Sequence, residues 1–184
     1  FKLNPQVDRV GIRRKYKLAP DKVTLLYVGR LDGEKRLDTL LEAVALLPRD
    51  DFQLAIAGHG LYEQPLRKQM QALELEGRVV FIGFVDSDDL PAIYNSADIF
   101  VMPSPEELQS IATLEAMACG KPILAANARA LPELVAPGVN GYLFKTCDAA
   151  DTARRIDQLL NERNRWAPMS QASYERAQIH SLQN

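Results

Sequence analysis

Two stretches of this chain combine residue types suited to binding anions and hydroxyls. The first is Gly29-Arg30-Leu31-Asp32-Gly33-Glu34-Lys35-Arg36. Arg30 offers a planar donor fork and Lys35 a point charge, and both suit phosphate oxygens. A helix beginning near Arg36 would add the partial positive charge of its N-terminus, so the stretch reads as a diphosphate clamp. The competing reading is a surface loop whose cations pair with Asp32, Glu34 or helix-end groups.

The second stretch is Met102–Gly120, a loop followed by a helix. Glu107 and Glu115 lie eight residues apart. At about 100° per residue, eight helical steps return to within about 80° of the start, so both carboxylates can point to one side. Glu107 would sit at the helix mouth and Glu115 two turns inside. Glu115 is set among Leu114, Ala116, Met117 and Ala118, where a carboxylate needs a partner, for example a core arginine. The backbone N–H groups of Leu108, Gln109, Ser110 and Ile111 are expected to be free at the helix start and able to bind an anion. Donors for phosphate together with acceptors for hydroxyls fit a nucleotide sugar.

Two further stretches are ambiguous. Gly58-His59-Gly60 begins a dinucleotide fingerprint, but Glu63 replaces its third glycine, so a tight turn with His59 as a turn residue is the better reading. Asp86-Ser87-Asp88-Asp89 looks like a metal-binding pair of aspartates, yet it precedes a short helix and reads as a cap. Just upstream, Phe84 and Val85 could wall a nucleobase or belong to the core.

The elements that must position these residues follow from the apolar pattern. Continuous apolar runs at Val23–Val28, Phe52–Ala57, Val79–Ile82, Ile99–Met102 and Ile123–Ala126 read as strands covered on both faces. Helical spacing separates them, marked by Leu37/Leu40/Leu41/Val44, Leu66/Met70/Leu73, Leu90/Ile93/Tyr94 and Ile111/Leu114/Met117/Ala118. Helices are also expected at 7–17, 149–161 and 166–177. The alternation predicts an α/β fold, a Rossmann-like doubly wound parallel sheet with helices on both faces. Ligands of such sheets bind outside the carboxyl ends of the strands, where all four stretches lie.

Composition narrows the classes. The 184 residues are 47% hydrophobic and 25% charged, enough for one globular domain over 1–184, with 1–18 as a leading helix or linker region. A net charge of −2 gives no reason to propose nucleic acid. Residues 1–36 nevertheless carry ten basic side chains against four acidic ones, a segment charge of +6 that leaves −8 for the rest. That basic helix could face an anionic membrane or simply water. Two cysteines and two histidines supply neither a disulfide framework nor a zinc site. No apolar run reaches the roughly eighteen residues of a membrane span, and no signal peptide opens the chain. It starts on Phe1, as a piece cut from something longer would.

The sequence resembles the C-terminal half of GT-B retaining glycosyltransferases of the GT4 family. The family's Gly-Arg-Leu-x-x-x-Lys is matched by Gly29–Lys35, and its Glu-x7-Glu followed by Ala-Met-Ala-x-Gly-x-Pro by Glu107–Glu115 and Ala116–Pro122. Pro132–Val135 and Gly138–Leu143 match two later segments. The resemblance implies that this half binds a UDP-, GDP- or ADP-sugar without a metal or other cofactor. It implies that Arg30 and Lys35 hold the diphosphate, that Glu107 meets the donor sugar and that Glu115 meets the ribose. Backbone at Phe84 and Val85 would meet the base, and backbone at Leu108–Ile111 the sugar and phosphate. The reaction would be transfer of a hexose with retention, in the cytoplasm or peripherally at a membrane. The partner would be an N-terminal acceptor-binding domain of the same parent chain, without which this piece should not turn over. The sequence departs at Leu108-Gln109-Ser110, where the family often has Gly-Phe-Gly, and at Arg36, where glycine is common. The alternative is a non-catalytic nucleotide-binding or interaction module of the same fold. An NAD-dependent enzyme is disfavoured by the missing third glycine.

Overall fold

The computed structural model describes residues 1–182; residues 183 and 184, counted in the expected domain, lie outside it. Six parallel strands form one sheet in the order β3-β2-β1-β4-β5-β6. They are β1 (Val23–Val28), β2 (Phe52–Ala57), β3 (Val79–Gly83), β4 (Ile99–Met102), β5 (Ile123–Ala126) and β6 (Gly141–Phe144). The helices are α1 (Arg9–Lys15), α2 (Leu37–Ala45), α3 (Glu63–Ala72), α4 (Leu90–Ser96), α5 (Ile111–Ala118), α6 (Leu131–Leu134), α7 (Ala149–Asn161) and α8 (Trp166–Leu182). Helix α2 packs on α3 and α7, whereas α5 packs on α8 and α1 on α4. The sheet is thus covered on both faces, as the unbroken apolar strands require.

β1, β2, β4 and β5 coincide with the apolar runs that announce them, and β3 extends one residue further. β6 and the one-turn α6 are additions that periodicity did not reveal. Gly141 opens β6 at φ 157°, where a Cβ would stand 1.8 Å from the carbonyl oxygen of Ile123. Close pairing with β5 therefore demands glycine at the very place where a strand pattern would want a side chain.

The amino edge of the sheet is tied by charge. Arg13 on α1 is buried, and all five of its N–H bonds are used. They reach the carbonyls of Ser96 (2.9 and 3.1 Å), Pro20 (2.9 Å) and Lys22 (2.9 Å) and the carboxylate of Asp98 (2.7 Å). Asp98 also accepts from the backbone of Thr24 at 2.8 Å and from Arg9. One carboxylate thereby joins α1 to the starts of β1 and β4. Lys121, also buried, donates to the carbonyls of Asn95 (3.2 Å) and Ala97 (3.0 Å). Burial, aided by the nearby charges of Arg9 and Arg13, pulls its ammonium down to about 8.

The carboxyl edge is tied by backbone. Gly29 N–H donates to Ala57, Leu31 to His59 and Gly58 to Gly83, at 3.1, 3.0 and 2.8 Å. The loops after β1, β2 and β3 are therefore laced together. Gly58 has φ 129°, and a Cβ there would lie 1.9 Å from the carbonyl oxygen of Gly29.

Two expectations follow. Gly58→Ala should cost more than about 2 kcal/mol in urea unfolding, because it adds both strain and a backbone clash. Gly77→Ala, at φ 84° with nothing within 4 Å, should cost only about 1 kcal/mol; equal costs would show that the lacing is unimportant. Lys121 has the opposite dependence to a paired lysine. Between about pH 8 and its ordinary value of 10.5, the unfolded chain holds a proton that the folded chain has released. The stability of the parent relative to Lys121→Met should rise with pH across that window, and parallel curves would contradict the assignment.

Candidate active site

The strand order reverses between β1 and β4, and the loops after those strands diverge to open a crevice. After β1 the chain turns at Gly29–Asp32, makes a 3₁₀ turn at Gly33–Lys35, and enters α2 through Arg36 at φ 54°. The helix expected to begin near Arg36 does so, at Leu37, with the 3₁₀ turn just before it. Arg36 is held by Asp38 (3.1 Å) and Thr39 (3.1 Å).

Lys35 reaches across the reversal to Glu107, with Nζ 2.8 Å from Oε1. Both side chains are largely buried, at 15% and 12% exposure, so the pair is shielded from solvent more than a surface bridge. Arg30 behaves differently. Its side chain is 72% exposed and pairs with Asp32 (2.7 Å) and Glu34 (3.1 Å). The surface-pairing alternative therefore describes Arg30, and in part Lys35, which lies 3.5 Å from Glu34 as well as 2.8 Å from Glu107 of the other loop.

Glu107 is not on the helix. Its carbonyl accepts from Ala130 at 3.1 Å, which holds it in the loop, and α5 begins at Ile111. The helical-wheel relation between Glu107 and Glu115 is thereby corrected; the two carboxylates belong to different elements. The Ile111 N–H is not free either, since it donates to Gln109 at 2.9 Å. Ser110 is buried, its hydroxyl 2.7 Å from that of Thr113, while Leu108 and Ile111 are exposed at the crevice edge. Leu108, Gln109 and Ser110 border a polar recess of about 190 Å³.

Glu115 is half-buried, and its partner is a phenol rather than an arginine: Tyr94 donates to Oε2 at 2.9 Å. Burial raises the Glu115 carboxyl above its usual range, and the Tyr94 hydrogen bond only partly offsets this. Asp89, expected to cap α4, makes no capping bond. It accepts instead from Lys15 (2.5 Å) and Tyr16 (3.0 Å) of the leading segment, a partnership local spacing cannot reveal.

An apolar cavity of about 270 Å³ opens beside the clamp. Gly29 and Arg30 form one wall, Phe84 and Val85 another, and Gly58 and His59 a third. His59, read from sequence only as a turn residue, meets Phe84 edge-on at 5.6 Å between centroids. Its place here follows from the backbone lacing, since a loop tied to Gly29 and Gly83 must line whatever those glycines line. Among the described residues no group of three or more His, Cys, Asp or Glu is gathered as a metal site, and no helix is long and apolar enough to cross a membrane.

Comparison with known proteins bears on the family and the fold. D-inositol 3-phosphate glycosyltransferase of Mycobacterium sp. (strain KMS) is 35% identical over 179 residues, 95% of this chain and 40% of that protein. Anabaena Alr3699/HepE, solved in complex with UDP-glucose, matches with a TM-score of 0.84 at 28% identity, over 96% of this chain and 49% of that one. The C-terminal domain of a glycosyl transferase group 1 family protein (LpcC) from Francisella tularensis shares the fold. Its TM-score is 0.81 at 23% identity, over 97% of this chain and 94% of that one. The chain thus spans less than half the length of the first two. Its Rossmann-like sheet is of the GT-B type, and residues 8–176 match the glycosyl transferases group 1 family, to which the chain belongs.

Proposed function

We propose that this chain is the donor-binding half of a retaining, GT4-type hexosyltransferase and takes a nucleoside diphosphate sugar in the crevice. The observation that carries the reading is the Lys35–Glu107 pair, which sets a cation and a hydroxyl acceptor together beside an apolar cavity. In this reading the base enters the cavity against Phe84, Val85 and the backbone at Gly29. Glu115 accepts from the ribose hydroxyls. Arg30 and Lys35 turn from their carboxylate partners to the diphosphate, and Glu107, released from Lys35, accepts from the donor sugar. The backbone and side chains of Leu108, Gln109, Ser110 and Ile111 border the sugar, and the bulk of Leu108 and Gln109 shapes which hexose fits.

As the bond from the anomeric carbon to the phosphate oxygen breaks, negative charge grows on the diphosphate. Lys35 and Arg30 are placed to offset it, an interaction stronger in the transition state than in the ground state. The chain's own cations supply this charge, and no metal is assigned a role. The acceptor site belongs to an N-terminal half of the parent chain, in keeping with the fold shared with a C-terminal domain and with the length of the relatives. UDP-glucose bound to the Anabaena protein favours a nucleotide sugar as the ligand class.

Calorimetric titration with UDP, GDP and ADP, and then with their sugars, tests this. One diphosphate should bind saturably, and more tightly as its sugar. Lys35→Ala should weaken the diphosphate about tenfold or more while leaving the nucleoside nearly unchanged, as loss of a charge-assisted contact predicts. Glu115→Ala should weaken both. Parent-like binding in both variants would sink the site assignment.

A further inference from the structure

We infer that two buried tyrosines, Tyr27 and Tyr94, are positioning residues of the donor site, each holding one ligand-facing element with its single phenolic proton. The inference rests on the donor-binding reading above. Tyr27 lies on β1 and Tyr94 on α4, and both are fully buried. The Tyr27 hydroxyl donates to the carbonyl of Arg30 at 2.8 Å. It lies directly under the turn, since a Cβ on Gly29 would stand 2.7 Å from it. The Arg30 backbone is therefore fixed from below by Tyr27 and from the side through Leu31, whose N–H is bound to His59. The guanidinium, exposed and held by the surface pairs to Asp32 and Glu34, extends from a fixed root.

Tyr94 does the corresponding work for the other ligand group. Its hydroxyl occupies Oε2 of Glu115, leaving Oε1 for another donor. The ring is clasped edge-on by Phe1 and at a tilt by Phe100, with centroids 5.6 and 5.8 Å away. Helix α4 starts at Leu90, which lines the apolar cavity, so Tyr94 one turn later links that cavity to the Glu115 carboxylate.

Packing alone would be served by phenylalanine at either position. A hydroxyl sunk in a core is costly unless bonded, so each is explained by the acceptor it satisfies. Burial raises both phenols far above their usual range, with Glu107 adding to the effect on Tyr27 and Glu115 to that on Tyr94. Burial thus favours the protonated phenols, the form in which each hydroxyl donates.

The test is a pair of affinity ratios, measured by calorimetry on this 184-residue chain. For uracil, guanine and adenine, the probes are the nucleoside, its 5′-diphosphate and the 2′,3′-dideoxy diphosphate. Tyr27→Phe should lower the ratio of diphosphate to nucleoside affinity about three- to tenfold and leave the ribose-to-dideoxy ratio unchanged. Tyr94→Phe should do the reverse. Unfolding midpoints measured alongside separate this from loosening of the core, which would lower every affinity in parallel. Unchanged ratios in both variants, or parallel loss in both, would overturn the inference while the donor reading stands. Absence of any diphosphate binding by the parent chain would overturn both. Each variant gives its own answer, so failure of one to fold leaves the other arm decisive.

Discussion

Everything in the crevice depends on the reversal of strand order between β1 and β4. Parallel strands deliver all their carboxyl ends to one edge, and the reversal sends the loops that follow β1 and β4 apart. Residues 72 positions apart in sequence, Lys35 and Glu107, meet only because those two strands are neighbours. Around the gap the remaining loops have little freedom. Those after β1, β2 and β3 are joined by backbone hydrogen bonds, and Gly58 lies so close to Gly29 that no side chain fits between them. The crevice is thus a product of topology, stiffened by backbone.

Its charges are balanced within the protein. Lys35 answers Glu107 and Glu34, and Arg30 answers Asp32 and Glu34. The two pairings are unequal. Arg30 is mostly solvated, and its bridges are of the weak surface kind. The Lys35–Glu107 pair is shielded, so separating it requires that each partner be offered a replacement. An anion for the one and a hydroxyl for the other would suffice.

Much of this was legible in the sequence, for a physical reason. A strand covered on both faces reads as an unbroken apolar run, and four of the five runs mark their strands to the residue. β6 was hidden because it is a short edge strand opening on a glycine that tight pairing requires. The positions of Arg30, Lys35 and Glu107 in loops after buried strands were legible too, since each loop directly follows an apolar run. Their partners were not. The phenol on Glu115, the Lys15 and Tyr16 contacts of Asp89 and the Ala130 bond that keeps Glu107 off the helix all join distant positions. Local rules of capping and periodicity carry no information about them. The place of His59 on the cavity wall was not legible either, because it follows from lacing between loops rather than from its own neighbours in sequence.

The Asp98 knot lies at the opposite edge from the crevice. Arg13, Arg9 and Thr24 converge there on one carboxylate, at the amino ends of the strands. Work that holds the sheet together is therefore concentrated where no ligand is expected. The loop after β4 is held by the pairs of Glu107 with Lys35 and of Glu106 with Arg129 and by backbone bonds, and the side chains of Leu108 and Gln109 take no part in these. Residues such as Leu108 and Gln109 can consequently exchange for others at little cost to folding. In a chain built this way, substitutions at exposed crevice positions and the integrity of the sheet are physically separated, because the knot that secures α1, β1 and β4 lies at the other edge.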